Sequence, residues 1–464
     1  MYEIYNDDCR ERLDQLGENS IDCIVTDPPY ELGFMGKSWD KAGVSFDKDT
    51  WAKCLRVLKP GGYLLAFGGT RTYHRIAYAI EEAGFEIKDM INWVYGSGMP
   101  KGLNIGIAID KRMGVESKVV GIGKSGAAST HTRTMHSQTK DGKDVFGGKF
   151  EVKEAQNEWK GWNTAIKPSH EPIVVAQKPF KGTFVDNILN WKVGAFNIDK
   201  CRIEHNEPTK TTNRQARSDR EIFNTKTSGF DSTKNTTASA APEGRYPANT
   251  ILTYDENDKD EVCGGFPNTK GGSKVKEKGD YGYCFGEKRD NKPMADGYDD
   301  NGSAARYFKN CPFEKEDFRS YFYSAKASKK DRDEGLDNFE AKAGHTKGNG
   351  LDRICEFCGV SQLTPELCHC EKKSWVAKPK RNTHATVKPT ELMRYLIRLV
   401  SPKGATILDP FMGSGSTGKA AMLENAERNA NYKFVGIEKE TEYFDIAKAR
   451  ISYVIEKYNL KENE

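Results

Sequence analysis

No apolar run in this chain approaches the roughly 20 residues needed to cross a bilayer. The opening residues, Met1-Tyr2-Glu3-Ile4, lack a signal-peptide pattern. Charge of one sign is not in excess either. The formal net charge is +4, which neither requires nor excludes nucleic acid, because a local stripe of cations matters more than the sum. Large apolar side chains are sparse: 37% of the 464 residues are hydrophobic, and the mean hydropathy is −0.73. That supply suits a good core at both ends of the chain and a polar, loop-rich middle. No internal repeat and no nuclease-like motif occur, so any cleavage of nucleic acid would need another protein. Cysteine is not missing. Several of the eleven fall inside apparent core strands, which fits a reducing, cytoplasmic setting better than a disulfide framework.

Residues 1–95 alternate between strand and helix patterns. Tyr2–Tyr5 reads as a short strand, Cys9–Leu16 as a helix, and Ile21–Val25 as a β-rich run ending at Asp27. Trp51, Cys54, Leu55 and Leu58 recur at helical spacing before a Lys59-Pro60-Gly61-Gly62 stop. Tyr63–Phe67 and Phe85–Val94 are strands around a helix at Tyr73–Ala83, and His170–Ala176 is one more strand. The pattern fades from about 96 to 169 and again across the polar stretch from about 180 to 350. It returns near 386 with a helix from Pro389-Thr390, a strand at Ala405–Leu408 ending at Asp409, and a helix over Gly418–Glu427. A strand at Phe434–Ile437 ending at Glu438 and a last helix from Glu442 to Tyr458 complete it. Such alternation predicts a parallel sheet with right-handed crossovers. The domain plan is 1–180 and 381–464 as halves of one α/β unit, with 181–380 inserted between them.

Two short segments carry chemistry. Gly413, Gly415 and Gly418 fit G-x-G-x-x-G between a strand and a helix, and Glu438 lies 20 residues beyond Gly418. Glycines let the backbone approach an adenosine-containing cofactor, and the acid accepts bonds from ribose hydroxyls. A ligand-free tight turn and a dinucleotide site are the alternatives. A P-loop is excluded, because no Gly-Lys-Ser/Thr follows at the required spacing. Asp409 at the strand end would repel a pyrophosphate but suits a cationic amino group and sulfonium, which favours S-adenosylmethionine.

The other segment is Asp27-Pro28-Pro29-Tyr30. An exocyclic base amine is a poor nucleophile, because its lone pair is delocalised into the ring. Asp27 offers one acceptor for the amine hydrogens, and a main-chain carbonyl fixed by Pro28-Pro29 offers the other. Tyr30 offers a face for an extruded base to stack on. A plain Pro-Pro turn is the alternative.

On these residues the chain resembles an amino DNA methyltransferase of the β class, in which the catalytic motif precedes the cofactor motif. Asp27-Pro28-Pro29-Tyr30 matches the family's catalytic motif. Asp409-Pro410-Phe411-Met412-Gly413-Ser414-Gly415-Ser416-Thr417 matches its cofactor loop. His384-Ala385-Thr386-Val387-Lys388-Pro389 matches the segment that contacts the methionine end of the cofactor, through Thr386 and Lys388. Asn6-Asp7-Asp8-Cys9 resembles its adenine-contacting turn, through Asp8 and Cys9. The resemblance implies a Rossmann-like, seven-stranded sheet with one antiparallel strand and a permuted motif order. It also implies a large target-recognition insert and duplex DNA as partner. A homodimer, a separate restriction endonuclease and a bacterial or phage, nucleoid-associated setting belong to the same expectation. In such families Asp-Pro-Pro-Tyr goes more often with adenine N6 and Ser-Pro-Pro-Tyr with cytosine N4, so adenine is expected and N4-cytosine is the runner-up. RNA or protein methylation, an inactive DNA-binding module and a nicotinamide dehydrogenase are more distant readings.

The middle adds a second cluster. Cys355-x-x-Cys358 and Cys368-x-Cys370 put four thiols within 16 residues, with His369 as a substitute ligand. A structural zinc ion there would staple a segment poor in apolar residues. Trp159, Trp162, Tyr246 and Phe322 are candidate stackers or wedges on DNA, and Lys167, Arg202, Arg245, Arg319 and Lys326 candidate phosphate or guanine contacts.

Overall fold

The computed structural model describes residues 2–33, 40, 42–95, 102–124, 149–203, 246–253, 327–340, 370 and 381–460, with short strand segments between 266 and 380. The first half supplies β1 (Tyr2–Asn6), α1 (Cys9–Gln15), β2 (Ile21–Thr26), α2 (Lys48–Val57), β3 (Leu58–Phe67), α3 (Tyr73–Glu82) and β4 (Glu86–Tyr95). Then come α4 (Ile105–Met113), the antiparallel pair β5 (Lys118–Lys124) and β6 (Lys149–Glu154), β7 (His170–Gln177) and α5 (Phe184–Trp191). The polar middle contributes β8 (Thr250–Thr253), β9 (Lys309–Asn310) and α6 (Lys329–Asp333). The last part supplies α7 (Thr390–Val400), β10 (Thr406–Asp409), α8 (Ser416–Arg428), β11 (Lys433–Glu438) and α9 (Thr441–Lys457).

One mixed sheet runs in the order β1-β11-β10-β2-β3-β7-β4-β8-β9. Its first seven positions are the expected set, and β7 is antiparallel to both β3 and β4. The two extra strands come from the polar middle. β8 pairs parallel to β4 and β9 to β8, covering an edge that would otherwise expose unpaired backbone groups. Because β10 lies against β2, with Ile407 opposite Cys23 and Leu408 opposite Ile24, the two halves of the chain meet in the middle of the sheet.

Strand alternation divides the core into two layers. Ile24, Leu64, Ala66, Val174 and Ala176 pack with Leu13, Trp51, Cys54, Ile76 and Ile80 from α1, α2 and α3. Cys23, Val25, Leu65, Phe67 and Val175 pack with Leu392, Leu396, Ala420 and Ile451 from α7, α8 and α9. Helices of the early half thus cover one face and those of the late half the other. An ionic contact joins the late helices. Glu424 is buried between Arg394 at 2.8 Å and Arg398 at 2.6 Å.

The sequence pattern misplaces one junction. Lys59-Pro60-Gly61-Gly62 follows α2 directly, but as part of β3 and not as a loop. A register shift between Ile21 and Cys23 absorbs the irregularity. Gly61 sits at φ +78°, and Lys178 on the far side completes the pairing, accepting from Gly61 N at 3.0 Å and donating to Gly62 O at 3.0 Å. Among the described residues no helix is long and apolar enough to cross a membrane.

Candidate active site

β2 and β10 are neighbours and point the same way, so the loops at their carboxyl ends emerge side by side. That is where open α/β sheets bind ligands. Asp27-Pro28-Pro29-Tyr30 leaves β2, and Phe411–Ser414 leaves β10. Both line one cleft of about 1270 Å³, together with Asp8, Cys9, His384, Thr386, Lys388, Asp409 and Glu438. Of the sequence-predicted residues, Gly415 and Thr417 lie behind this wall.

The glycine loop is held by its own surroundings. Asp409 accepts from the hydroxyls of Thr26 at 2.6 Å and Thr417 at 2.5 Å, and from Phe411 N at 3.2 Å. Burial dominates over these bonds and pushes its carboxyl up to about 6. Glu438 accepts from Gly413 N and Glu440 N, each at 2.8 Å. It is likewise pushed up by burial, to about 7. The Ser416 hydroxyl donates to the Lys388 carbonyl at 3.0 Å. Gly415 is the N-cap of α8 at φ +77°. A Cβ there would stand 2.9 Å from Ala447 Cα, and one at Gly418 would stand 2.5 Å from Ile451 Cδ1. These glycines let α8 approach α9 and β11.

The β2 loop is held by distant residues. Ser45 Oγ donates to Pro29 O at 2.6 Å and Thr72 Oγ1 to Tyr30 O at 2.8 Å. The Tyr30 hydroxyl donates to Glu171 Oε2 at 2.8 Å. Burial, then the Asp27 charge, hold that hydroxyl well above the ordinary tyrosine range. Lys388 Nζ donates to Asp27 Oδ2 and lies 3.8 Å from Glu171. It is 4% exposed, and burial lowers its pKa against the pull of Asp27. The resemblance gave Lys388 to the cofactor's methionine end, whereas here its ammonium sits on Asp27, above the rings of Phe67 and Tyr30. The other oxygen of Asp27, Oδ1, is buried with no hydrogen-bond partner. A buried acceptor without a partner is unusual and needs an explanation.

At the β1 end, Asp8 caps α1, accepting from Arg10 N at 3.0 Å. Arg10 grips the same carboxylate, which is held well below the usual range. Asn6 donates to the carbonyls of Glu438 at 2.9 Å and Lys439 at 3.1 Å, tying this turn to the end of β11.

Several buried groups here carry no motif. Glu171, at the start of β7, reaches the site because β7 runs opposite to its neighbours. α6 docks beneath the glycine loop: Asp331 accepts from Lys419 Nζ and Thr390 N, each at 2.8 Å. Arg450, 0% exposed, donates to Ser414 O at 2.6 Å and Asp331 O at 2.9 Å. The only available sequence signal was Ser328 as an N-cap before a charged stretch.

Of the proposed metal ligands, Cys358 and Cys368 lie outside the described residues, as do His369 and the side chain of Cys355. Among the described residues no group of His, Cys, Asp and Glu could hold a metal ion. Arg245, Arg319, Phe322 and Lys326 are outside them too. Trp159 and Trp162 pack edge to face, their centroids 5.2 Å apart. Lys167 lines the cleft, Tyr246 is exposed, and Arg202 pairs with Asp199 at 2.8 Å.

A family model described as DNA methylase, of the N6/N4 type, matches residues 21–449. The chain belongs to the N6/N4 DNA methylase family. Among curated proteins it is similar to the type II methyltransferase M.HindIII of Haemophilus influenzae, 25% identical over 236 residues, which is 42% of this chain and 64% of that protein. It is similar to M.HpaI of Haemophilus parainfluenzae, 37% identical over 95 residues, 19% of this chain and 30% of that one. The chain therefore spans less than two thirds of the curated relatives it matches. Similar solved structures include the M1.HpyAVI–SAM complex, 16% identical, covering 97% of this chain and 99% of that one with a TM-score of 0.35. The cytosine-N4-specific PvuII methyltransferase is 12% identical, covering 99% and 91% with a TM-score of 0.39.

Proposed function

We propose that this N6/N4 DNA methylase methylates the exocyclic N6 of an adenine swung out of duplex DNA. The observation that carries the reading is the partnerless, buried Asp27 Oδ1 in a cleft shared with the glycine loop. The residues fit S-adenosylmethionine. Asp8, Asp409 and Glu438 give the pocket anionic walls for a cationic ligand, and Glu438 keeps lone pairs for ribose hydroxyls beyond its two backbone donors. The Gly413 backbone supplies close approach. When bound, this cofactor supplies an electrophilic methyl group on a sulfonium sulfur.

The chain's own residues do the rest. Asp27 Oδ1 accepts one amine hydrogen. Ser45 already engages the carbonyl of Pro29, so the carbonyl of Pro28 takes the other. Both acceptors favour a pyramidal nitrogen with its lone pair available. Tyr30 is fixed through its hydroxyl to Glu171 and through its carbonyl to Thr72, and it presents its ring to the base. Lys388 donates to the far oxygen of Asp27 and leaves Oδ1 for the substrate. Asp27 is also the group placed to receive the proton that the nitrogen must lose after methylation. Positioning is the main contribution.

The carboxylate at the motif's first position and the resemblance to Asp-Pro-Pro-Tyr enzymes support adenine. We assign sequence recognition to the insert, 181–380. Because curated relatives are type II methyltransferases, we propose a separate restriction endonuclease as its functional companion. Nucleoside analysis of DNA from cells expressing the protein tests the base. N6-methyladenine above the host background is expected. N4-methylcytosine would reassign the base while keeping the site, and neither product would overturn the reading.

A further inference from the structure

Extruding a base leaves a hole in the duplex that a side chain must fill. We infer that Ile166 is the side chain that does. This rests on the proposed action on a flipped base.

The loop before β7 reaches the site for a topological reason. β7 is antiparallel, so its first residue lies at the carboxyl edge of the parallel strands, where Asp27 emerges. Residues 163–171 line the same cleft as Asp27 and Tyr30. Glu171, at the base of this wall, holds the Tyr30 hydroxyl at 2.8 Å. Ile166 is five residues earlier, so even a fully extended chain keeps it within about 18 Å of Glu171. It is 91% exposed. A lone exposed isoleucine is ordinary on a protein surface. What distinguishes this one is that it lines the cleft that holds Asp27 and Tyr30, on a braced loop.

The bracing is extensive. Thr164 N donates to Leu103 O at 3.1 Å, and Leu103 N donates to Thr164 Oγ1 at 2.8 Å. Asn104 and Asn163 form a β-bridge, and Ala165 N donates to Asn163 Oδ1 at 3.1 Å. Ile105 N donates to Trp162 O at 3.0 Å. On the other side Tyr95 N donates to Ser169 O at 2.9 Å. Trp159 and Trp162 pack edge to face, and the Trp159 backbone lies so close to α4 that a Cβ on Gly106 would stand 2.8 Å from its carbonyl oxygen. An apolar side chain held out on such a support is what insertion between base steps requires. Lys167, next in sequence and also lining the cleft, suits a phosphate beside the gap.

The test uses the full chain with S-adenosylhomocysteine, on duplexes carrying the protein's own methylation site. The target adenine is replaced by 2-aminopurine in one set and by an abasic residue in the other. Ile166→Ala should cut the 2-aminopurine fluorescence rise and weaken binding of the abasic duplex by about tenfold, the loss of one buried aliphatic side chain. S-adenosylhomocysteine affinity should be unchanged, and Ile166→Leu should restore both signals. Its exposure means the alanine variant keeps the fold. Parent-like fluorescence and abasic affinity in Ile166→Ala would overturn the inference alone. A parent protein that neither methylates DNA nor raises 2-aminopurine fluorescence would overturn the underlying reading with it.

Discussion

Two loops leave adjacent strands at the same sheet edge, and they are built on different plans. The glycine loop after β10 is held mostly from within the late half of the chain: Thr417 on Asp409, Glu438 on Gly413 N, Arg450 on Ser414 O. The loop after β2 is held by residues scattered through the sequence: Ser45, Thr72, Glu171 and Lys388. Both oxygens of Asp409 are engaged, while one oxygen of Asp27 is buried and idle. One loop is therefore a finished cradle. The other is an incomplete hydrogen-bond set, and on the proposed function its missing donor is the substrate amine.

If this contrast is right, damage to the two loops separates. The largest effect is expected from Asp27→Ala. Methyl transfer should fall by about 10³-fold, as when an acceptor or donor aimed at the reacting group is removed. Cofactor affinity by calorimetry should stay within about twofold in that variant. A matching loss of cofactor affinity would erase the distinction between the loops.

Next comes Lys388→Met. Removing one partner of a buried pair leaves an uncompensated charge and should cost about 3 kcal/mol in urea unfolding. In the Asp27→Ala background the same change should cost far less, since the two groups are coupled. Additive losses would show that Lys388 serves something other than Asp27.

Gly415→Ala and Gly418→Ala probe the cradle from outside the cleft. Added methyl groups meet Ala447 and Ile451, so each should destabilise the fold by about 1–3 kcal/mol. Their cofactor affinities, set beside the near-parent affinity of Asp27→Ala, measure how far structure and chemistry have been divided between the loops; Asp27→Ala is itself destabilised, because it strands the buried Lys388 ammonium.

The smallest effect is in pH. Glu438 is raised to about 7 by burial, and ribose hydroxyls donate best to its ionised form. Cofactor affinity should therefore rise about tenfold from pH 6 to pH 8. Glu438→Gln should flatten that rise. Fold stability has the opposite sign. The raised carboxyls of Asp409 and Glu438 favour the folded state while protonated, and that contribution is lost as pH climbs from the ordinary carboxylate range of about 4 through about 6 and about 7.

The contrast also explains what could be read in advance. Strand-end motifs announce themselves because apolar runs stop at Asp27 and Asp409, and because glycines with helical neighbours mark the cradle. The predicted strand and helix order of both ends agrees with the sheet, and so does the single antiparallel strand. Contacts made across hundreds of residues leave no such trace. Lys388 reads as part of a cofactor segment, and nothing local says that its ammonium returns to Asp27. Glu171 reads as one polar residue before a buried strand. Lys59–Gly62 reads as a stop, because the bulge that keeps it in β3 depends on its neighbour β2. α4 and α5 lie in stretches where the apolar pattern fades. Their caps were visible: Asn104 and Gly114 bracket α4, and Thr183 forms a capping box with Asp186 on α5. Short helices with weak periodicity need those caps to be counted first.

A crystal structure with S-adenosylhomocysteine and a duplex containing the methylation site tests the account most directly. It predicts the target base outside the helix, with its exocyclic nitrogen about 2.8–3.0 Å from a carboxylate oxygen of Asp27. A bound base whose amine meets other groups, with Asp27 turned from the cofactor pocket, would contradict it.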